Sequence, residues 1–236
     1  MTADAPEVDW STWLASVDWR QGEHVSVIGP TGQGKSTLLL ALAEHRRYVL
    51  MLATKPKDAT LAQLTTGPRP YVKVASWPPR LGPELAPKVL LWPKLATPAD
   101  MYRQADMVQA ALADVYSQGG WCVGADELYY LSKKLGCRGI LELLWQHGRS
   151  LGVSMLGATQ RPAHVPLELY SQATHLCLFR ANDRRDRQRL ADVGGEVDPA
   201  TIHQLCSRLR KHSFLYVNTR TGQLAISSTP APSTKG

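Results

Sequence analysis

Eight consecutive residues, Gly29-Pro-Thr-Gly-Gln-Gly-Lys-Ser36, have the types and spacing needed to hold phosphate. They match the pattern GxxxxGK[ST] at every position. Glycines let such a segment curl until successive backbone N–H groups point at one anion. Lys35 brings a point charge to the β and γ oxygens, and the Ser36 hydroxyl is a ligand for magnesium. The residues assigned to nucleotide are Gly29, Pro30, Thr31, Gly32, Gln33, Gly34, Lys35, Ser36 and Thr37, with ATP and Mg2+ as the expected cofactors. The competing reading is a glycine-rich turn without a ligand. The flanks weigh against it. An apolar strand, His24 to Ile28, precedes the loop, and Leu38, Leu39, Leu42 and Ala43 give the following helix an apolar face. That helix presents its positive end to the same anion.

A triphosphate site also needs a carboxylate near the metal. Only one apolar run ends in an acid pair: Trp121 to Ala125, followed by Asp126-Glu127. Asp126 is expected to hold magnesium together with Ser36. Glu127 is expected to polarise the attacking water, which makes hydrolysis the predicted outcome. The alternative is a first helical turn, where acids complement the dipole.

Downstream lies Gly148-Arg149, and then Ala158-Thr-Gln160-Arg-Pro162 at the end of another apolar run. With the loop, the basic Lys55-Pro-Lys57-Asp58 stretch and Asp126-Glu127, these residues resemble the HerA–FtsK superfamily of P-loop motors. The shared pieces span residues 24 to about 180. The resemblance implies a glutamine strand lying between the loop strand and the acid-pair strand, with Gln160 beside the γ-phosphate. A carboxamide suits that place, because it both donates and accepts. The resemblance also makes Arg149 an arginine finger that reaches a neighbouring subunit's site, with Arg161 and Arg180 as rivals. It implies a ring, usually a hexamer, that pumps DNA or exports polymers, and as a near-bare motor domain the chain resembles compact viral genome-packaging ATPases and small ATPases encoded by mobile elements. A portal or membrane-vertex protein is a further partner that such a motor implies.

A net charge of +7 favours a polyanionic partner, read without sequence preference. Arg184, Arg185, Arg187 and Arg189 crowd a predicted helix near 183–193, and Arg208, Arg210 and Lys211 follow. They fit DNA phosphates, a solvated face or an inter-subunit salt-bridge face. The four cysteines lack zinc spacing, so reduced core thiols are expected and no metal cluster. The chain shows neither a secretory leader nor an apolar run long enough for a bilayer, which points to a cytoplasmic setting: a host cytoplasm or a virion if the source is viral.

These groups require a frame. Strands alternating with helices predict an α/β fold: a mostly parallel sheet flanked by helices, of the RecA-like P-loop type with an additional strand and a catalytic glutamate. Residues 1–22 form an expected helical, tryptophan-bearing segment that packs on the domain or docks a neighbour. Residues 23–227 form the ATPase domain, with a proline-rich insertion at 65–100, and 228–236 a flexible tail. Within the insertion, short strands are expected at Tyr71–Val74 and Lys88–Trp92. A helix is expected from Pro98 to Tyr116 with Thr97 as its cap, a second near 198–208, and a closing hairpin at 213–217 and 223–227. Two other functions compete with a DNA translocase: a conjugation or secretion motor, and a nucleotide kinase with an arginine lid.

Overall fold

A computed structural model of the chain describes residues 5–79, 88–160, 165, 171–180 and 197–231. Within these, nine strands form one sheet. In chain order they are β1 (Val25–Ile28), β2 (Val49–Leu52), β3 (Val72–Val74), β4 (Lys88–Leu91), β5 (Cys122–Ala125), β6 (Ser154–Thr159), β7 (His175–Phe179), β8 (Ser213–Asn218) and β9 (Leu224–Ser228). Their spatial order is β3-β4-β2-β5-β6-β1-β7-β8-β9. Every pairing from β3 to β7 is parallel, and β8 and β9 are antiparallel. The expected α/β fold with a mostly parallel sheet is therefore present. Strands β1, β2, β4, β5, β6 and β7 are buried along their whole length, as a parallel sheet covered on both faces requires.

The glutamine strand β6 lies between β1 and β5, as the resemblance implied. Register then sets the site. Ile28 pairs with Thr159, and Ala125 pairs with Gly157. The loop, the acid pair and Gln160 thus leave the sheet at one edge, the usual place for ligands in open α/β sheets.

The proline-rich stretch builds the outer sheet: β4 pairs with β2, and β3 with β4. Next comes a helix, Asp100–Gln118, that starts later than the sequence suggests. Thr97 does not cap it. The Asp100 carboxylate reaches back to the N–H groups of Ala96 (2.9 Å) and Thr97 (2.8 Å), so Thr97 and Pro98 lie in the turn before it. After the acid pair, Tyr130–Lys134 winds as a π-helical turn, and a helix over Arg138–Leu151 returns to the start of β6. The predicted helix near 198–208 is found at Pro199–Arg208, and the closing hairpin is β8–β9. The predicted helix at 183–193, with its arginine run, lies outside the described residues. Among the described residues no helix is long and apolar enough to cross a membrane.

The amino-terminal segment packs on its own domain. Helix α1 (Trp10–Ser16) is capped by Asp9 and buries Trp13 against Phe214 and Tyr216 of β8, at 4.8 and 5.5 Å between ring centroids. Glu7 bridges to Ile226, which covers the edge strand β9. The ordered chain also continues past Ser228: Thr229 is buried and donates to the His212 carbonyl at 2.9 Å. Trp13→Ala is expected to cost about 3–5 kcal/mol, the usual range for truncating a buried aromatic. Chemical denaturation would show it, and a loss below about 1 kcal/mol would mean that α1 does not belong to the cooperative core.

Candidate functional site

The loop leaves β1 at Gly29, where a Cβ would lie 2.5 Å from Phe179 Cβ, so only glycine fits this close crossing. Gly34 has φ 103°, a left-handed conformation, and N-caps helix α2 (Lys35–Ala43). A Cβ on Gly34 would lie 2.1 Å from Thr229 Oγ1, so the end of β9 rests directly on the loop. The expected helix is present with Leu38, Leu39, Leu42 and Ala43 buried.

Thr31, Gly32, Gly34, Lys35, Ser36 and Thr37 line a cavity of about 200 Å³ together with Asp126 and Gln160. The other loop residues do different work. Pro30 offers its carbonyl to Lys35 Nζ at 2.8 Å, and Gln33 accepts from the His212 N–H at 3.3 Å. Lys35 is buried, which pulls its pKa down, while Asp126 and Glu127 oppose that shift. Among the described residues this ammonium has no carboxylate within ion-pair distance and holds one carbonyl, so an incoming phosphate would gain its charge at little loss.

Ser36 donates to Asp126 Oδ1 at 2.8 Å, and Lys55 Nζ lies 3.6 Å from Asp126 Oδ2. A hydroxyl and a carboxylate converging at this distance are the hard oxygen donors that magnesium prefers, so these residues fit the ion. Thr31 donates to Gln160 Oε1 at 2.6 Å, tying the loop to the end of β6. Glu127 does not line the cavity. Its Oε1 accepts from the Tyr129 N–H at 3.3 Å. Burial pushes its pKa up and Asp126 adds to this, while the Tyr129 N–H, Lys35 and Lys55 pull it down. A carboxyl with a raised pKa is the better proton acceptor.

Arg149 is not brought to this site. It is exposed in the last turn of the helix Arg138–Leu151, and its backbone packs on Gly22, before β1 begins. The six residues of β6 span roughly 20 Å between that edge and the cavity. Arg180 follows Phe179 at the loop edge and is exposed; Arg161 lies outside the described residues.

Four cavity residues had no assigned role: Lys55, Thr60, His212 and Pro230. Lys55 was legible as the first charged side chain after β2. His212 and Pro230 carry no sequence signal, because antiparallel pairing of β8 and β9 with the sheet delivers them. All four cysteines are buried free thiols, as expected.

No family model matches the sequence, and no curated protein matches it. Solved structures do. The DNA-packaging ATPase B204 from Sulfolobus Turreted Icosahedral Virus superposes with a TM-score of 0.60 at 14% identity, covering 88% of this chain and 98% of that one. B204 from Sulfolobus turreted icosahedral virus 2 in complex with ATP-gammaS gives 0.53 at 15% identity, over 89% of this chain and 98% of that one. The cytoplasmic domain of the Thermomonospora curvata type VII secretion ATPase EccC gives 0.55 at 20% identity, over 92% of this chain and 26% of that much longer one. The chain therefore has the α/β fold that these packaging and secretion ATPases share, in agreement with the HerA–FtsK resemblance.

Proposed function

We propose that this chain is an ATP-hydrolysing DNA translocase that works as a ring oligomer in genome packaging or DNA transfer. One observation carries the hydrolytic part. A phosphate loop, a metal-type carboxylate and a glutamine meet at one sheet edge through the Ser36–Asp126 and Thr31–Gln160 contacts of 2.8 and 2.6 Å. Lys35 and the loop amides bind the phosphates. Ser36 and Asp126 hold magnesium, which supplies charge neutralisation on the phosphate oxygens. Glu127 takes a proton from water as the water oxygen bonds to the γ-phosphorus and the bond to the bridging oxygen breaks, leaving ADP and phosphate. Gln160 orients the water and donates to the γ oxygens. Arg149 acts in a neighbour: it lies at the far edge from its own cavity, so only a head-to-tail copy brings its guanidinium to a γ-phosphate.

DNA as the cargo is supported by the net charge of +7 and by the fold shared with a DNA-packaging ATPase. The fold shared with EccC supports a second reading, a secretion-type motor moving protein. Phosphate release measured with and without duplex and single-stranded DNA separates them, with the mass in solution taken in parallel. Release stimulated several-fold by DNA in an oligomer is expected. An oligomer indifferent to all DNA sinks the translocase reading, and transfer of phosphate to an acceptor instead of release would identify a kinase.

A further inference from the structure

One wall of the loop cavity takes no part in the hydrolytic chemistry. A triphosphate on this loop directs its terminal phosphate toward Asp126 and Gln160, so the nucleoside must leave along another side. Two sides remain. Lys55 and Thr60 form one, but Lys55 is engaged with Asp126 at 3.6 Å and Asp58 at 3.5 Å, beside the metal position. His212 and Pro230 form the other, an imidazole and a pyrrolidine ring next to the first turn of α2.

His212 is held there with unusual firmness. It is the one non-glycine residue with positive φ, 68°, among the described residues. A bulky residue adopts that conformation only when its surroundings impose it. Here its N–H donates to Gln33 Oε1 at 3.3 Å, and its carbonyl accepts from Thr229 N at 2.9 Å and Thr229 Oγ1 at 3.4 Å. The backbone is thus pinned to the loop on one side and to β9 on the other. The ring is not: its Nδ1 is buried and has no hydrogen-bond partner among the described residues. The residue also lines the cavity, and a ring without a fixing hydrogen bond can turn a nitrogen toward a ribose hydroxyl or a base N–H.

We infer that His212 and Pro230 form the nucleoside-recognition wall of the site, with His212 selecting nucleoside triphosphates over bare polyphosphate. This rests on the nucleotide reading above. Sequence-distant β8 and β9 therefore complete a pocket whose phosphate half comes from β1 and α2.

Calorimetric titration with Mg-ATP and with magnesium and inorganic tripolyphosphate tests it. His212→Gly keeps the backbone conformation and removes the ring; His212→Asn keeps a polar group and tolerates positive φ. His212→Gly is expected to weaken ATP about tenfold, one hydrogen bond's worth, and to leave tripolyphosphate unchanged. His212→Asn should recover part of the ATP affinity. ATP binding to His212→Gly at wild-type strength overturns the inference, and so does an equal loss for both ligands, which would mean that His212 only props the loop. A wild-type chain that takes up neither ligand defeats the nucleotide reading itself, and this inference with it.

Discussion

Glu127→Gln is expected to stop ATP turnover while leaving ATP binding intact. The substitution preserves shape and the acceptor for the Tyr129 N–H, but removes the proton acceptor. Loss of a general base costs about 10²–10⁴ in rate. Binding rests on other groups: Lys35 and the loop line the cavity, whereas Glu127 does not. The sign of its pH dependence follows from burial. Its pKa is raised, so the carboxylate form needed for proton abstraction is lost as pH falls, at a higher pH than the ordinary glutamate value of about 4.3. Turnover should therefore decline on the acid side above that value, and residual turnover in Glu127→Gln should lack this limb. A steady-state rate within threefold of wild type would remove Glu127 from the proposed mechanism.

Lys35→Met is expected to abolish measurable ATP binding without destabilising the fold. Lys35 is buried, and burial already depresses its pKa, which records an energetic cost to the charged form. Among the described residues its ammonium meets the Pro30 carbonyl alone, at 2.8 Å. Methionine fills similar volume and removes a desolvated charge, a change that is often neutral or stabilising. For the ligand the balance reverses, since phosphate loses its buried countercharge. A loss of about a hundredfold or more in affinity is anticipated, on the scale of a broken buried charge pair. Unfolding midpoints read beside calorimetry separate the two effects. Affinity that survives at wild-type level would show that the loop holds phosphate by its amides alone, and a collapse in stability would make Lys35 a structural residue.

These two residues differ in how they could be read. Lys35 is fixed by a local pattern: a loop of that spacing between an apolar strand and an amphipathic helix can be recognised within twenty residues. Asp126 and Gln160 were also legible, because each follows a buried strand directly, and buried strands in parallel sheets appear as short continuous apolar runs. The resemblance added their mutual placement, which the order β5-β6-β1 bears out. The proline-rich stretch was less transparent. Proline excluded a long helix but did not reveal that β3 and β4 extend the main sheet beside β2. The late start of the helix at Asp100 was hidden for a local reason: a carboxylate inside the first turn can satisfy N–H groups upstream as well as a capping hydroxyl does.

The phosphate loop, the acid pair and the glutamine strand end were thus determined by the sequence itself, since each depends on neighbours a few residues away. The tertiary structure alone decided which distant groups meet them. Antiparallel pairing of β8 with β7 and of β9 with β8 carries His212, Thr229 and Pro230 to a loop nearly two hundred residues earlier, with Gln33 and His212 joined across 179 positions. Helix direction decided the opposite for Arg149: the helix Arg138–Leu151 runs back along the sheet, so the arginine ends at the strand-start edge, away from its own cavity. Local pattern specifies chemistry, but pairing register and chain direction specify which chemistry shares a site, and those are settled by burial of the whole sheet.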